Sequence, residues 1–184
     1  MCIEISIDES ALIAGEVFLA YACVEGVSVR RGDPRAEEVL ARAEEEARRL
    51  YSLPDLKDHP VVRALRRFYW RIGIDPTKQR PASEALARRV LRGRPLPRIN
   101  NVVDAGNAVS LVTLVPIGIY DLDRISGPLT LREARRGEPF YPIGGEPEVL
   151  SEGQIVLAAV SYTHLRAHET EADLVCRLLL EKKK

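Results

Sequence analysis

Residues 80 to 125 read RPASEALARRVLRGRPLPRINNVVDAGNAVSLVTLVPIGIYDLDRI, and no other stretch constrains the fold as much. Pro81 opens a helix with Ala85, Leu86, Val90 and Leu91 facing inward. Arg88, Arg89 and Arg92 lie on its other side, and Gly93 stops it. A proline-bounded turn follows. Asn100 or Asn101 then caps a second helix, Val102 to Leu114, with Asp104 in its first turn, where the helix dipole favours an acid. The block leaves through a strand at Ile117 to Leu122.

The flanks complete a fold class. Ile3, Ile5 and Ile7 alternate within a strand at Cys2 to Asp8. Phe18 to Val24 reads as another strand, with a further one possible after Gly26. Asp33-Pro34 starts a helix to about Ser52, with Val39, Ala43, Ala47 and Leu50 inward. Val61 to Ile72 is a helix burying Val62, Leu65, Phe68 (with Tyr69) and Ile72, ended by Gly73. Leu129 to Arg132 is a strand, Pro139 to Leu150 a hairpin turning at Gly144-Gly145, and Gln154 to Ala158 a last strand. A run of helices with strands on both sides is α+β layering in one domain.

Net formal charge is zero across 184 residues, so only its distribution informs. Between Arg63 and Arg98 stand eleven basic residues and two acids, Asp75 and Glu84. Clustered base in a neutral chain is a footprint of nucleic-acid binding, and equally of an arginine-rich surface. No apolar run is long enough for a membrane span. Cys2, Cys23 and Cys176 lack metal spacing, and their odd number fits free thiols in a cytoplasmic protein. Cys23 reads as core.

The text changes after Ala158. Before Ala159 there are twenty arginines, two lysines and one histidine, His59; afterwards come His164, His168 and three terminal lysines. The run Val160 to Thr170, then Leu174 to Glu181 and a lysine run, resembles the in-frame translation of a transposase-type sequencing adapter. His164 and His168 are therefore not read as metal ligands. Residues 1–158 are expected to form the domain, incomplete at its C-terminal end, and 159–184 a non-native tail.

The segments FYWRIGIDPTKQRPASEAL, INNVVDAGN, PIGIYDLD and LREARRGEPF, in that order, resemble the B3/B4 domain of the phenylalanyl-tRNA synthetase beta subunit. The free-standing form of that domain is the nearer likeness, over roughly residues 15 to 158. The resemblance implies a three-layer fold with an unusual β-sandwich, and binding of RNA, generally tRNA. In the synthetase the domain also carries a pocket that hydrolyses tyrosine wrongly attached to tRNA. The family's Asn-x-Val-Asp-x-x-Asn falls here on Asn101, Val103, Asp104 and Asn107. Its Pro-x-His-x-Phe-Asp becomes Pro116 to Asp121, with Gly118 in place of the histidine that lines the editing pocket. The editing glutamate of the synthetase would lie beyond Ala158.

The pocket candidates are thus Asn101, Asp104, Asn107, Tyr120 and Asp121. Asp104 and Asn107 share a helix face. They either hold an aminoacyl-adenosine or cap and bond a neighbouring loop. Along a strand, Asp121 and Asp123 would share one side and Tyr120 the other. The RNA candidates are Lys78, Arg80, Arg88, Arg89, Arg92, Arg94 and Arg98, which either track phosphates or pair with the acidic helix at Glu37 to Glu46. Phe68, Tyr69 and Trp70 read first as core and second as base-stacking groups. No catalytic residue, metal or cofactor is assigned. The expected partner is tRNA or aminoacyl-tRNA. The expected function is tRNA binding, with a free-standing aminoacyl-tRNA deacylase and a protein-interaction module as rivals.

Overall fold

The computed structural model describes residues 3–14, 18–125, 127–140, 146–150 and 152–159. The class is α+β. The described residues form four helices, five strands and short 3-10 turns. They group into two compact units, one holding 28–70 and 74–119, the other 3–27, 71–73 and 120–159 as far as these are described.

The helical unit contains α1 (Pro34–Leu50), α2 (Pro60–Arg71), α3 (Ala82–Leu91) and α4 (Asn101–Thr113). Asp33 caps α1 by accepting from the Arg35 amide at 2.9 Å, and Pro34 occupies the first helical position. The core joins Leu40, Ala43 and Ala47 of α1, Leu86, Ala87 and Val90 of α3, and Ala108 and Leu111 of α4. Each leucine buried there contributes about 2–3 kcal/mol. The inward stripe of α1 is offset from the expected one. Val39 and Leu50 are exposed, and Leu40 and Glu44 take the buried positions, because the stripe follows α4 rather than the most apolar letters.

Two backbone features shape α4. A Cβ on Gly106 would stand 2.6 Å from Ile119 Cδ1, so glycine lets residues 117–119 lie close along the helix. At its end Leu114 adopts φ 57° while wholly buried. Nearby, the Tyr51 hydroxyl donates to the Val112 carbonyl, and the Tyr51 ring meets His59 edge-on at 5.4 Å.

In the second unit β1 (Ile5–Ile7) runs parallel to β2 (Leu129–Glu133), with Ile5 opposite Leu129. β5 (Ile155–Ala159) pairs antiparallel on the other side of β2, with Leu131 opposite Leu157. β3 (Pro139–Phe140) and β4 (Glu148–Val149) form the short hairpin, whose Gly144-Gly145 turn lies outside the described residues. Leu129, Leu131, Ile155, Val156 and Leu157 are buried.

Three expectations are corrected. The described part of Phe18 to Val29 forms no strand, and Phe18, Tyr21, Val24, Val27 and Val29 are exposed. Its apolar composition mimics a strand, but no ladder among the described residues supplies partners for its backbone. Residues 117–122 form no strand either; Leu122–Arg124 is a 3-10 turn capped by Asp121, so alternation does not order Tyr120, Asp121 and Asp123. Cys23 is disulfide-bonded and half-buried, not a free core thiol, and Cys2 and Cys176 lie outside the described residues.

Candidate functional site

The site is built around the connection from α3 to α4. Gly93, at φ 79°, releases the chain from α3 in a conformation that only glycine adopts cheaply. The connection is then held from two sides. Glu44 of α1, itself buried, accepts from the Leu96 amide at 2.8 Å and from Arg98 Nη1 at 2.9 Å. Arg98 also donates Nε to Glu37 at 3.1 Å and Nη1 to the Leu96 carbonyl. Farther on, Asp104 Oδ1 accepts from the Ile99 amide at 2.9 Å.

At the start of α4 two adjacent asparagines divide the work. Asn100 is the cap, its Oδ1 accepting from the amides of Val102 and Val103 at 3.1 and 3.0 Å. Asn101 faces the other way and clamps residues 28–30. Its Nδ2 donates to the Ser28 carbonyl at 2.9 Å, and its Oδ1 accepts from the Arg30 amide at 2.8 Å. The Asn101 backbone amide adds a bond to the Arg30 carbonyl. The side chain therefore pairs as a strand's peptide group would.

Asp104 and Asn107 are both buried on α4. Burial raises the Asp104 carboxyl above its ordinary value, against the Ile99 amide, which lowers it. Neither Oδ1 nor Nδ2 of Asn107 has a hydrogen-bond partner among the described residues, and Ser110, one turn on, has an equally unpartnered hydroxyl. Buried side-chain amides without partners are rare. Tyr120, half-buried, and Asp121, exposed and capping its 3-10 turn, belong to the other unit.

The seven basic candidates separate by environment. Arg88 donates Nε to Glu84 Oε1 at 2.7 Å, and Arg98 is tied to Glu37 and Glu44. Both are thus engaged by the protein's own carboxylates, Arg98 by the acidic helix at Glu37 to Glu46 and Arg88 by its own helix. Arg89 is half-buried and donates to the Pro95 carbonyl at 2.6 Å. Lys78, Arg80, Arg92 and Arg94 are exposed, and none has an ion-pair partner among the described residues. Of the three aromatic residues read first as core, Tyr69 is buried and Phe68 half-buried, whereas Trp70 is 58% exposed. The signal lay in α2's periodicity, since Val62 and Tyr69 share a face that Trp70 leaves.

The B3/4 domain family matches residues 64–167, more than half of the chain. Phenylalanine--tRNA ligase beta subunits are similar over part of it. That of Fusobacterium nucleatum is 32% identical over 93 residues, covering 50% of this chain and 11% of the relative. That of Aquifex aeolicus is 38% identical over 60 residues, 33% of this chain and 8% of the relative. That of Neisseria meningitidis is 32% identical over 92 residues, 50% and 12% respectively. The chain thus spans about a tenth of the length of these relatives. No solved structure matches it. The chain belongs to the B3/4 domain family. Among the described residues no helix is long and apolar enough to cross a membrane.

Proposed function

We propose that this domain binds tRNA through the basic residues at the two ends of α3. The observation that carries this reading is the exposure of Lys78 and Arg80 before the helix and Arg92 and Arg94 after it, all without ion-pair partners among the described residues. The ten residues of α3 span roughly 15 Å, about four nucleotide steps along one strand. Family membership supports the same partner, because the relatives are named as subunits of a tRNA ligase. Contacts of this kind position a backbone and do not read bases.

Retention of tRNA on filters across a salt series tests the reading. About four phosphate contacts give a log–log slope of roughly −3, and replacing Arg92 and Arg94 with alanine flattens it by about 0.7–0.9 each. Affinity indifferent to salt would remove the reading.

A second reading, deacylation of mischarged tRNA, is favoured by the unpartnered buried amide of Asn107. Here Asn107 would hold a polar group of the aminoacyl end, and the 2′-hydroxyl or a water would carry the proton that the family's histidine handles, since Gly118 stands in that place. Release of labelled tyrosine from mischarged tRNA is its assay, and an Asn107→Ala variant as active as the parent would end it.

A further inference from the structure

Helix α2 contains no acidic side chain. It buries Val62 and Tyr69 and half-buries Leu65 and Phe68. Arg63, Arg67 and Trp70 remain on the outward side, at spacings of four and three. That spacing places them on one helical face, spread over roughly 10 Å of axis. Arg63 and Arg67 are exposed, and neither guanidinium has an ion-pair or hydrogen-bond partner among the described residues. Arg66, at the edge of the same face, is neutralised by Glu84, so the charge left uncompensated sits beside the indole. Trp70 is 58% exposed, while its neighbour Tyr69 supplies the aromatic bulk of the core. Packing therefore does not explain the tryptophan.

A large flat ring flanked by two free guanidinium groups matches unpaired RNA. Every base has a face that stacks on an aromatic ring, and the adjoining phosphates seek cations. A duplex offers no base face to such a helix. An acidic peptide would use the arginines but leave the ring without a role.

We propose that the outward face of α2 is a stacking platform for an unpaired nucleotide of RNA, with Trp70 taking the base and Arg63 and Arg67 the flanking phosphates. The proposal rests on the reading that the domain binds tRNA, and it places a single-stranded part of that partner on a helix separate from α3.

Trp70 is the only tryptophan in the chain, so its emission reports the event directly. Titration of the full chain with single-stranded oligoadenylate is expected to quench it saturably. On filters, Trp70→Ala should weaken oligoadenylate retention roughly ten-fold or more, and Trp70→Phe should recover most of it. Replacing Arg63 and Arg67 with alanine should flatten the salt slope by about 0.7 each. Far-UV circular dichroism checks that the variants stay folded. If oligoadenylate is retained while Trp70 emission stays constant and Trp70→Ala binds like the parent, the platform is wrong and tRNA binding stands. If tRNA is not retained even at low salt, both readings fall. If phosphatidylserine vesicles quench Trp70 and oligoadenylate does not, the face is a membrane contact and the proposal is overturned.

Discussion

Arg66 grips Glu84 with two parallel hydrogen bonds, Nε to Oε2 at 2.9 Å and Nη2 to Oε1 at 2.6 Å, and so locks α2 to α3. The Glu84 side chain has no solvent exposure, and Arg88 donates to it from one turn along α3. Breaking a buried pair from one side leaves charges without a counter-ion. Glu84→Gln is expected to cost about 3 kcal/mol in urea unfolding. Arg42→Ala, which removes the exposed Glu38 pair on α1, should cost at most about 0.5 kcal/mol. Equal costs for the two would show that Arg66 and Arg88 simply turn to water.

Two buried carboxylates should respond to acid with opposite sign. Burial pushes Glu84 up, but Arg66 and Arg88 overcome it and leave the group below its ordinary value. Its contribution to stability is therefore full above the ordinary carboxylate range and lost as pH falls through the folded value. Asp104 is raised, chiefly by burial. The folded state holds its proton more tightly than the unfolded chain, so its ionisation penalises folding at neutral pH, and acid relieves that penalty. Asp104→Asn keeps an oxygen for the Ile99 amide. Its urea midpoint relative to the parent should be highest at neutral pH and should fall toward the parent's at acid pH. A constant difference would mean that Asp104 does not titrate anomalously.

The adjacent asparagines should separate cleanly. Asn100→Ala removes a helix cap and is expected to cost about 1 kcal/mol. Asn101→Ala removes two hydrogen bonds to residues 28–30, for about 1–2 kcal/mol. Only the second should speed hydrogen exchange at the Arg30 amide. If Asn101→Ala instead weakens tRNA binding and leaves that amide protected, Asn101 serves a ligand and not the clamp.

The arginines offer a similar division. Arg98→Ala strips a partly exposed partner from the buried Glu44 and should lower stability by about 1–2 kcal/mol. Arg94→Ala, which removes no ion pair among the described residues, should leave stability within about 0.5 kcal/mol. Thermal unfolding of the two variants side by side is the check.

The helices were legible because their signals are local. Asp33-Pro34, Gly73, Gly93 and the Asn100-Asn101 pair mark ends by capping and backbone rules that need no tertiary knowledge. The strands at 129–133 and 155–159 were visible as short apolar runs. What failed depended on partners far away in sequence. Phe18 to Val29 has strand composition, yet composition does not name a ladder. Nothing local says that Arg66 reaches the buried Glu84, or which acid of the Glu37 to Glu46 helix takes Arg98. Hence Arg88 and Arg98 entered the candidate interface on charge alone. Trp70 reads as core only by company with Phe68 and Tyr69, and it lies about 100° round the wheel from the buried Tyr69.

Leu114 has no neutral neighbours in sequence space. Its left-handed backbone invites glycine, but glycine there would hollow out the core at about 2–5 kcal/mol. Valine or isoleucine would keep most of the volume and sharpen the steric conflict at that φ. Asparagine would suit the dihedral and strand an amide among aliphatic groups. Where α4 stops is thus dictated by a compromise at one site, and changes that move it must alter the backbone around Leu114 and the hydrocarbon packed on it together.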